Sequence, residues 1–190
     1  MTERVIDPAA LVLLQGLEPD AEQLREDEAA LVRAARAGNR GAFGDLYERY
    51  ARVVHGIMLA HAPAQVADDL VQDVFERALS NIGGLRDVNT FAGWLIAITR
   101  NRVRDHFRRN MASEELPEVA VPANAQPRAE AAAALEAIRR LPEAYRETLM
   151  LRLVEGMTGP EIAARVGITP DSVRVNLHRG MKMLREALNP

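Results

Sequence analysis

Apolar residues recur every three to four positions along almost the whole chain, and sustained apolar–polar alternation is absent. That period is the one an α-helix needs to bury a single face. Combined with helix start and stop signals, it predicts helices over residues 27–37, 40–61, 65–80, 89–109, 128–140, 143–155, 159–166 and 170–188. Leu70, Val71, Val74, Phe75 and Ala78 form the core stripe of the third, and Phe91, Trp94, Leu95 and Ile98 that of the fourth. Val173, Leu177, Met181, Leu184 and Leu188 form that of the last. Between Met111 and Arg128 the period disappears, and Pro117, Pro122 and Pro127 remove backbone donors and favour extended conformations. The predicted fold is therefore all-α, with two small helical domains, 27–110 and 129–190, joined by an extended acidic linker, 111–128. The second is a four-helix domain containing a helix-turn-helix. Residues 1–26 form an acidic extension with one apolar patch, ALVLLQGL, which fits a short amphipathic helix and a frayed tail equally well.

Composition narrows the classes further. The chain has 190 residues, 48% hydrophobic and 27% charged, with no cysteine. It can bury real cores, but it has no disulfide, thiol nucleophile or cysteine-ligated metal. No apolar run approaches the roughly 18–20 residues of a bilayer span, and the N-terminus lacks the basic start and apolar core of a secretory signal. The expected compartment is the cytoplasm, with no membrane insertion.

A net charge of −3 argues against a nucleic-acid partner only on average, because fields act locally. Residues 1–28 carry −6 and 68–84 carry −3, whereas 85–110, with six arginines and two aspartates, carry +4. The chain is a mosaic.

The sharpest local motif is TGPEIAARVGITPDSVRVNLHRGMKMLREAL, Thr158 to Leu188. Thr158 and Glu161 have capping-box spacing, and Pro160 is tolerated in the first turn. Gly167 suits a left-handed helix end, and Thr169 with Pro170 repeats the start signal. Two short-linked helices with small residues at their crossing make a helix-turn-helix. On the second helix, Ser172, Val175, Arg179 and Lys182 lie opposite the core stripe, flanked by Arg174, Asn176 and His178. These side chains can donate to base edges and phosphates. A solvated basic helix end has much the same composition; the double capping and the glycine turn favour the DNA reading.

Two other helices carry opposite charges. Asp69, Gln72, Asp73 and Glu76 share one face of the third predicted helix, suited to a partner surface or to plain solvation, but without the loop a calcium site needs. Arg100, Arg104 and Arg108, with Asn101 beside them, step along the fourth helix four residues apart, a spacing that can track phosphates. An arginine-rich helix end balanced by Asp105 is the structural alternative. The four histidines show no metal-ligand spacing and no catalytic motif occurs, so no catalytic residue, cofactor or metal is expected.

Taken in order, AFGDLYERYARVV, ADDLVQDVFERAL, TFAGWLIAITRNRVRDHFRR and LPEAYRETLMLRLVEGMTGPEIAARVGITPDSVRVNLHRGMKML resemble the extracytoplasmic-function (ECF) class of bacterial sigma-70 family sigma factors over about residues 27–190. The resemblance implies a sigma factor that binds core RNA polymerase, through the β′ clamp helices and β flap, and directs promoter-specific initiation. It implies polymerase contacts by Asp69, Gln72, Asp73 and Glu76, and −10 DNA contacts by Arg100, Asn101, Arg104 and Arg108 with the Ser80–Thr90 loop. It implies −35 contacts by Arg174, Val175, Asn176, His178, Arg179 and Lys182, and an anti-sigma factor as a further partner. The helix-turn-helix alone is also compatible with a LuxR-type DNA-binding regulator.

Overall fold

A computed structural model describes residues 21–112 and 126–188. Eight α-helices make up the described chain: α1 (Ala21–Arg36), α2 (Arg40–His61), α3 (Ala64–Asn81), α4 (Phe91–Ala112), α5 (Gln126–Arg139), α6 (Glu143–Leu153), α7 (Gly159–Val166) and α8 (Pro170–Leu188). Two 3-10 turns, Ile82–Gly84 and Val88–Thr90, join α3 to α4. No strand occurs among the described residues, and no described helix is long and apolar enough to cross a membrane.

The fold is all-α in two helical regions, α1–α4 and α5–α8. The expected linker lies largely on residues 113–125, outside the described part, as do residues 1–20 of the expected extension. Met111 and Ala112 belong to α4, and Gln126, Pro127 and Arg128 to α5. Helix α1 already includes Ala21 to Glu26. These residues are good helix formers, and the Gln23 side chain donates to Asp27 at 3.0 Å. Leu24, their one large apolar side chain, is 44% exposed, so no core period marks the segment in the sequence.

Local signals set the other boundaries. Gly38 takes φ +92°, and Asn39 then caps α2 by accepting from the Ala42 amide at 3.1 Å. Asp87 caps the second 3-10 turn by accepting from the Asn89 amide at 2.9 Å. That turn occupies the start of the helix expected from residue 89, and α4 proper begins at Phe91. Thr158 and Glu161 form the complete capping box, Gly167 ends α7 at φ +75°, and Thr169 accepts from the Ser172 amide at 3.1 Å to open α8.

Helix α2 is the axis of the molecule, lying against α1, α3, α4 and α6. Its fully buried side chains include Leu46, Tyr50, Val53, Val54, Ile57 and Met58. The two regions share apolar core: Val53, Ile57 and Ile96 of the first pack with Leu151, Met157, Ile162, Ala163 and Val173 of the second. Close approach of α2 and α6 depends on Gly56, where an added Cβ would lie 2.7 Å from Leu151 Cδ2 and 3.0 Å from Glu155 Cγ. Helix α6 buries five consecutive residues, Glu147 to Leu151. A helix enclosed on all sides shows little amphipathic pattern in its sequence.

Candidate nucleic-acid interface

Three surfaces carry the residues singled out by the sequence. On α3, Leu70, Val71, Val74, Phe75 and Ala78 are buried as expected, which turns Asp69, Gln72 and Glu76 to solvent. The Gln72 amide donates to Glu76 at 2.9 Å. Asp73 is half-buried and differs from its neighbours: it accepts from Arg102 Nε at 2.8 Å and also from the Arg102 terminal nitrogen. It therefore ties α3 to α4. Beside the acidic row runs a groove with apolar walls from Tyr47, Phe75 and Leu79 and polar rims at Asp68, Gln72 and Glu76. Tyr47 and Leu79 are 43% and 47% exposed, and the Tyr47 and Phe75 rings lie 4.5 Å apart. Tyr47, four residues after Phe43 and three before Tyr50, lies at the edge of the buried α2 stripe, so helical spacing alone reads it as core.

Helix α4 buries Phe91 and Leu95 and half-buries Trp94 and Ile98. Its arginines do not form a uniform row. Arg104 and Arg108 are exposed; Arg104 donates to Asn101, also exposed, and Arg108 donates to Asp105 at 3.1 Å. Arg100 instead turns toward the second region and donates to Glu147 at 2.9 Å. The preceding loop is braced by Asp87, which accepts from both the backbone and the side chain of Asn89.

On α8, Arg174, Val175, His178, Arg179 and Lys182 are exposed. Arg174 lies 3.4 Å from Asp171, an exposed pair of the kind that holds little energy and exchanges readily. Asn176 is half-buried, with its amide directed to Thr148 Oγ1 at 3.5 Å. Val173 and Leu184 are buried, whereas Leu188, at the far end of the stripe, is exposed. The exposed donors thus project from one side of a helix held on the other by α6 and α7. A helix so presented fits the major groove.

No local pattern along the chain marks the polar contacts between the two regions. Glu147 accepts from Arg100 and lies 3.0 Å from His61 Nε2, while Arg146 donates to His61 Nδ1 at 2.9 Å. Arginine can only donate, so Nδ1 accepts and Nε2–H donates to Glu147. Burial acts to raise the Glu147 carboxyl, but the hydrogen bonds from His61 and Arg100 outweigh it and hold the group below the ordinary carboxylate range. The bond that Arg100 donates to Glu147, against the effect of burial, pushes the guanidinium pKa upward. Earlier on α2, His55 Nδ1 lies 2.6 Å from Glu155 and Arg52 lies 3.9 Å from the same carboxylate. Nearer its start, Arg165 of α7 reaches Glu28 at 3.6 Å and lies over the Tyr50 ring at 4.9 Å. The Tyr50 hydroxyl donates to Glu28 at 2.7 Å, and burial, reinforced by Glu28, pushes its pKa up.

His61, Glu143 and Glu147 form the one grouping of potential metal ligands among the described residues, with ligand atoms within 4.8 Å of one another. Arg100 and Arg146 are already bonded into it, so a cation there would compete with two guanidinium groups.

Comparison with known proteins places these surfaces in a family. The sigma-70 region 2 family matches residues 46–112, and the sigma-70 region 4 family matches residues 131–184. RNA polymerase sigma factor CarQ of Myxococcus xanthus is 34% identical over 161 residues, covering 80% of this chain and 92% of CarQ. ECF RNA polymerase sigma factor BldN of Streptomyces coelicolor is 31% identical over 170 residues, 83% of this chain and 64% of BldN. Among solved structures, CnrH in complex with the cytosolic domain of CnrY superposes with a TM-score of 0.59 at 27% identity, over 86% of this chain and 97% of CnrH. With region 2 and region 4 matched in that order and a relative of this identity covered almost end to end, the chain belongs to the ECF class of the sigma-70 family of RNA polymerase sigma factors.

Proposed function

We propose that the three surfaces divide the work of promoter-directed initiation. The acidic row Asp69, Gln72 and Glu76, with the apolar groove of Tyr47, Phe75 and Leu79 beside it, docks the β′ clamp helices of core polymerase. Arg104 and Arg108, with Asn101, Arg100 and the Ser80–Thr90 loop, hold the melted −10 strand. Arg174, Val175, His178, Arg179 and Lys182, with Asn176 at their edge, read the −35 duplex, and the α5–α8 region also meets the β flap. Residues 27–110 and 129–190 act as the two functional units, with 111–128 as the connector. The chain acts in the cytoplasm, contributes recognition and leaves catalysis to the polymerase. An anti-sigma protein is its expected inhibitor; the capture of the relative CnrH with a cytosolic protein domain supports such a partner.

The observation that carries this reading is the separation of charge by surface: an exposed acidic and apolar face on α3, and exposed basic faces on α4 and α8. Opposite charges on separate faces suit a protein that bridges an enzyme and DNA. Purified protein added to core polymerase and promoter-bearing DNA is expected to form a holoenzyme and an open complex detectable by permanganate footprinting. Failure to form either would overturn the proposal.

A further inference from the structure

The α1–α2 turn and the loop between α3 and α4 enclose a cleft of about 300 Å³, with Arg36, Asn39 and Arg40 on one side and Ile82 and Gly83 on the other. Helix α1 lies against both 3-10 turns of that loop, so the cleft is continuous with the Ser80–Thr90 segment. Arg33 stands one turn before Arg36 on α1, and Arg86 follows the first 3-10 turn.

These four arginines are exposed, and none makes a side-chain ion pair or hydrogen bond among the described residues. Arg104 and Arg108 on α4, by contrast, each hold a neighbour on their own helix. Asp87, the single acid of the loop, is engaged with Asn89 and leaves the cluster without a counter-charge. The last turn of α1 suits Arg33 and Arg36, but Arg40 opens α2, where the helix dipole disfavours a cation. Like charges around one cleft also repel. Folding therefore supplies no reason for the cluster as a whole, whereas a bound polyanion does.

We propose that this cleft is a phosphate track, in which Arg36 and Arg40, with Arg33 and Arg86 beside them, neutralise successive phosphates of a single strand that continues past the Ser80–Thr90 loop. The inference rests on the −10 role given to that loop under Proposed function, and it adds strand contacts by residues to which no role is given there. Contacts of this kind hold and position a strand without reading its sequence.

The test uses the full chain and a fluorescein-labelled mixed-sequence single-stranded DNA of roughly 25 nucleotides, with affinity measured from about 50 to 200 mM salt. Each phosphate contact on a single strand contributes about 0.7 to the salt slope. Arg36→Gln/Arg40→Gln is therefore expected to lower the slope by about 1.4 and to weaken binding about 5-fold or more at the lower salt. Arg36→Lys/Arg40→Lys keeps both charges and should keep the slope. Arg140→Gln, at an exposed site on α5 outside the cleft, should leave it unchanged. Circular dichroism identifies a pair that fails to fold, and Arg36→Gln or Arg40→Gln alone, with half the drop expected, then carries the test. A wild-type slope in the glutamine pair overturns the track, as does an equal loss in the lysine pair. An equal drop on a hairpin duplex of the same length overturns the single-strand assignment, and loss of core-polymerase binding with the slope intact assigns the cleft to a protein instead. Transcription with core polymerase separates the two failures. Wild-type protein that initiates, with an unchanged slope in the glutamine pair, refutes the track alone; wild-type protein that never initiates refutes the functional reading, and the slope decides whether the cleft binds phosphates.

Discussion

A carboxylate closed off from water keeps its charge only where donors offset its lost hydration, and Glu147 meets that condition through His61 and Arg100. Because its folded pKa is depressed, the stability it contributes is complete above the unfolded carboxylate value of about 4.3 and is lost as pH falls through the lower folded value. Urea midpoints measured from pH 6 down to about pH 3 should therefore fall further for wild type than for Glu147→Gln. His61 on α2, Arg100 on α4, and Glu143 and Arg146 on the same helix all face the group, and none is altered in that comparison. Glu161, held down by the Thr158 amide, titrates in the same direction in both proteins and cancels. Asp73 makes a different case. Paired with Arg102, it serves the packing of α3 on α4, so Asp73→Asn should lower stability by about 1 kcal/mol in a urea melt. Exposed Glu76→Gln should stay within about 0.5 kcal/mol of wild type while weakening polymerase binding. The acidic face was legible in the sequence from its helical spacing. The partner of Asp73 was not, since Arg102 lies 29 residues away on another helix and no local pattern links them.

Helix ends were the most legible feature of the elements, because each is set by a few adjacent residues with a stated job. Thr158, Gly167 and Thr169 all take the positions their chemistry suggests. Thr158→Ala removes the hydroxyl that accepts from the Glu161 amide, while the backbone N–H of residue 158 keeps its bond to the Glu161 carboxylate, and should lower stability by about 1 kcal/mol. Gly167→Ala forces a side chain into a left-handed conformation at φ +75° and should lower it by about 1–2 kcal/mol; thermal melts with calorimetry measure both. What the pattern missed lies where propensity acts without burial or where turns are tight. The first turns of α1 contribute almost no core, and the 3-10 turn at Val88–Thr90 is distinguished from an α-helical start by backbone geometry. Exposure along α4 was read correctly for Arg104 and Arg108. Arg100 escaped because its partner belongs to the other half of the chain.

For the whole molecule, the division into two helical regions could be read from the loss of period after α4 and from distinct motifs on either side. Their packing against one another could not. Val53, Ile57 and Ile96 look like ordinary core positions of the first region, yet they are covered by Leu151, Met157 and Ile162 of the second. Gly56→Val tests that packing, since its Cβ would start 2.7 Å from Leu151 Cδ2. Overpacking there should lower stability by about 1–3 kcal/mol, measured by urea unfolding. The net charge of −3 also takes its meaning at this scale, as the sum of acidic and basic surfaces carried on separate helices. The most direct test of that division is start-site mapping with holoenzyme reconstituted from core polymerase and either the wild-type chain or Arg179→Ala. The wild-type holoenzyme should initiate at a set of sites sharing −10 and −35 elements, and Arg179→Ala should bind core normally but lose preference at −35. Starts no different from those of core alone, or identical promoter choice in Arg179→Ala, would contradict the account.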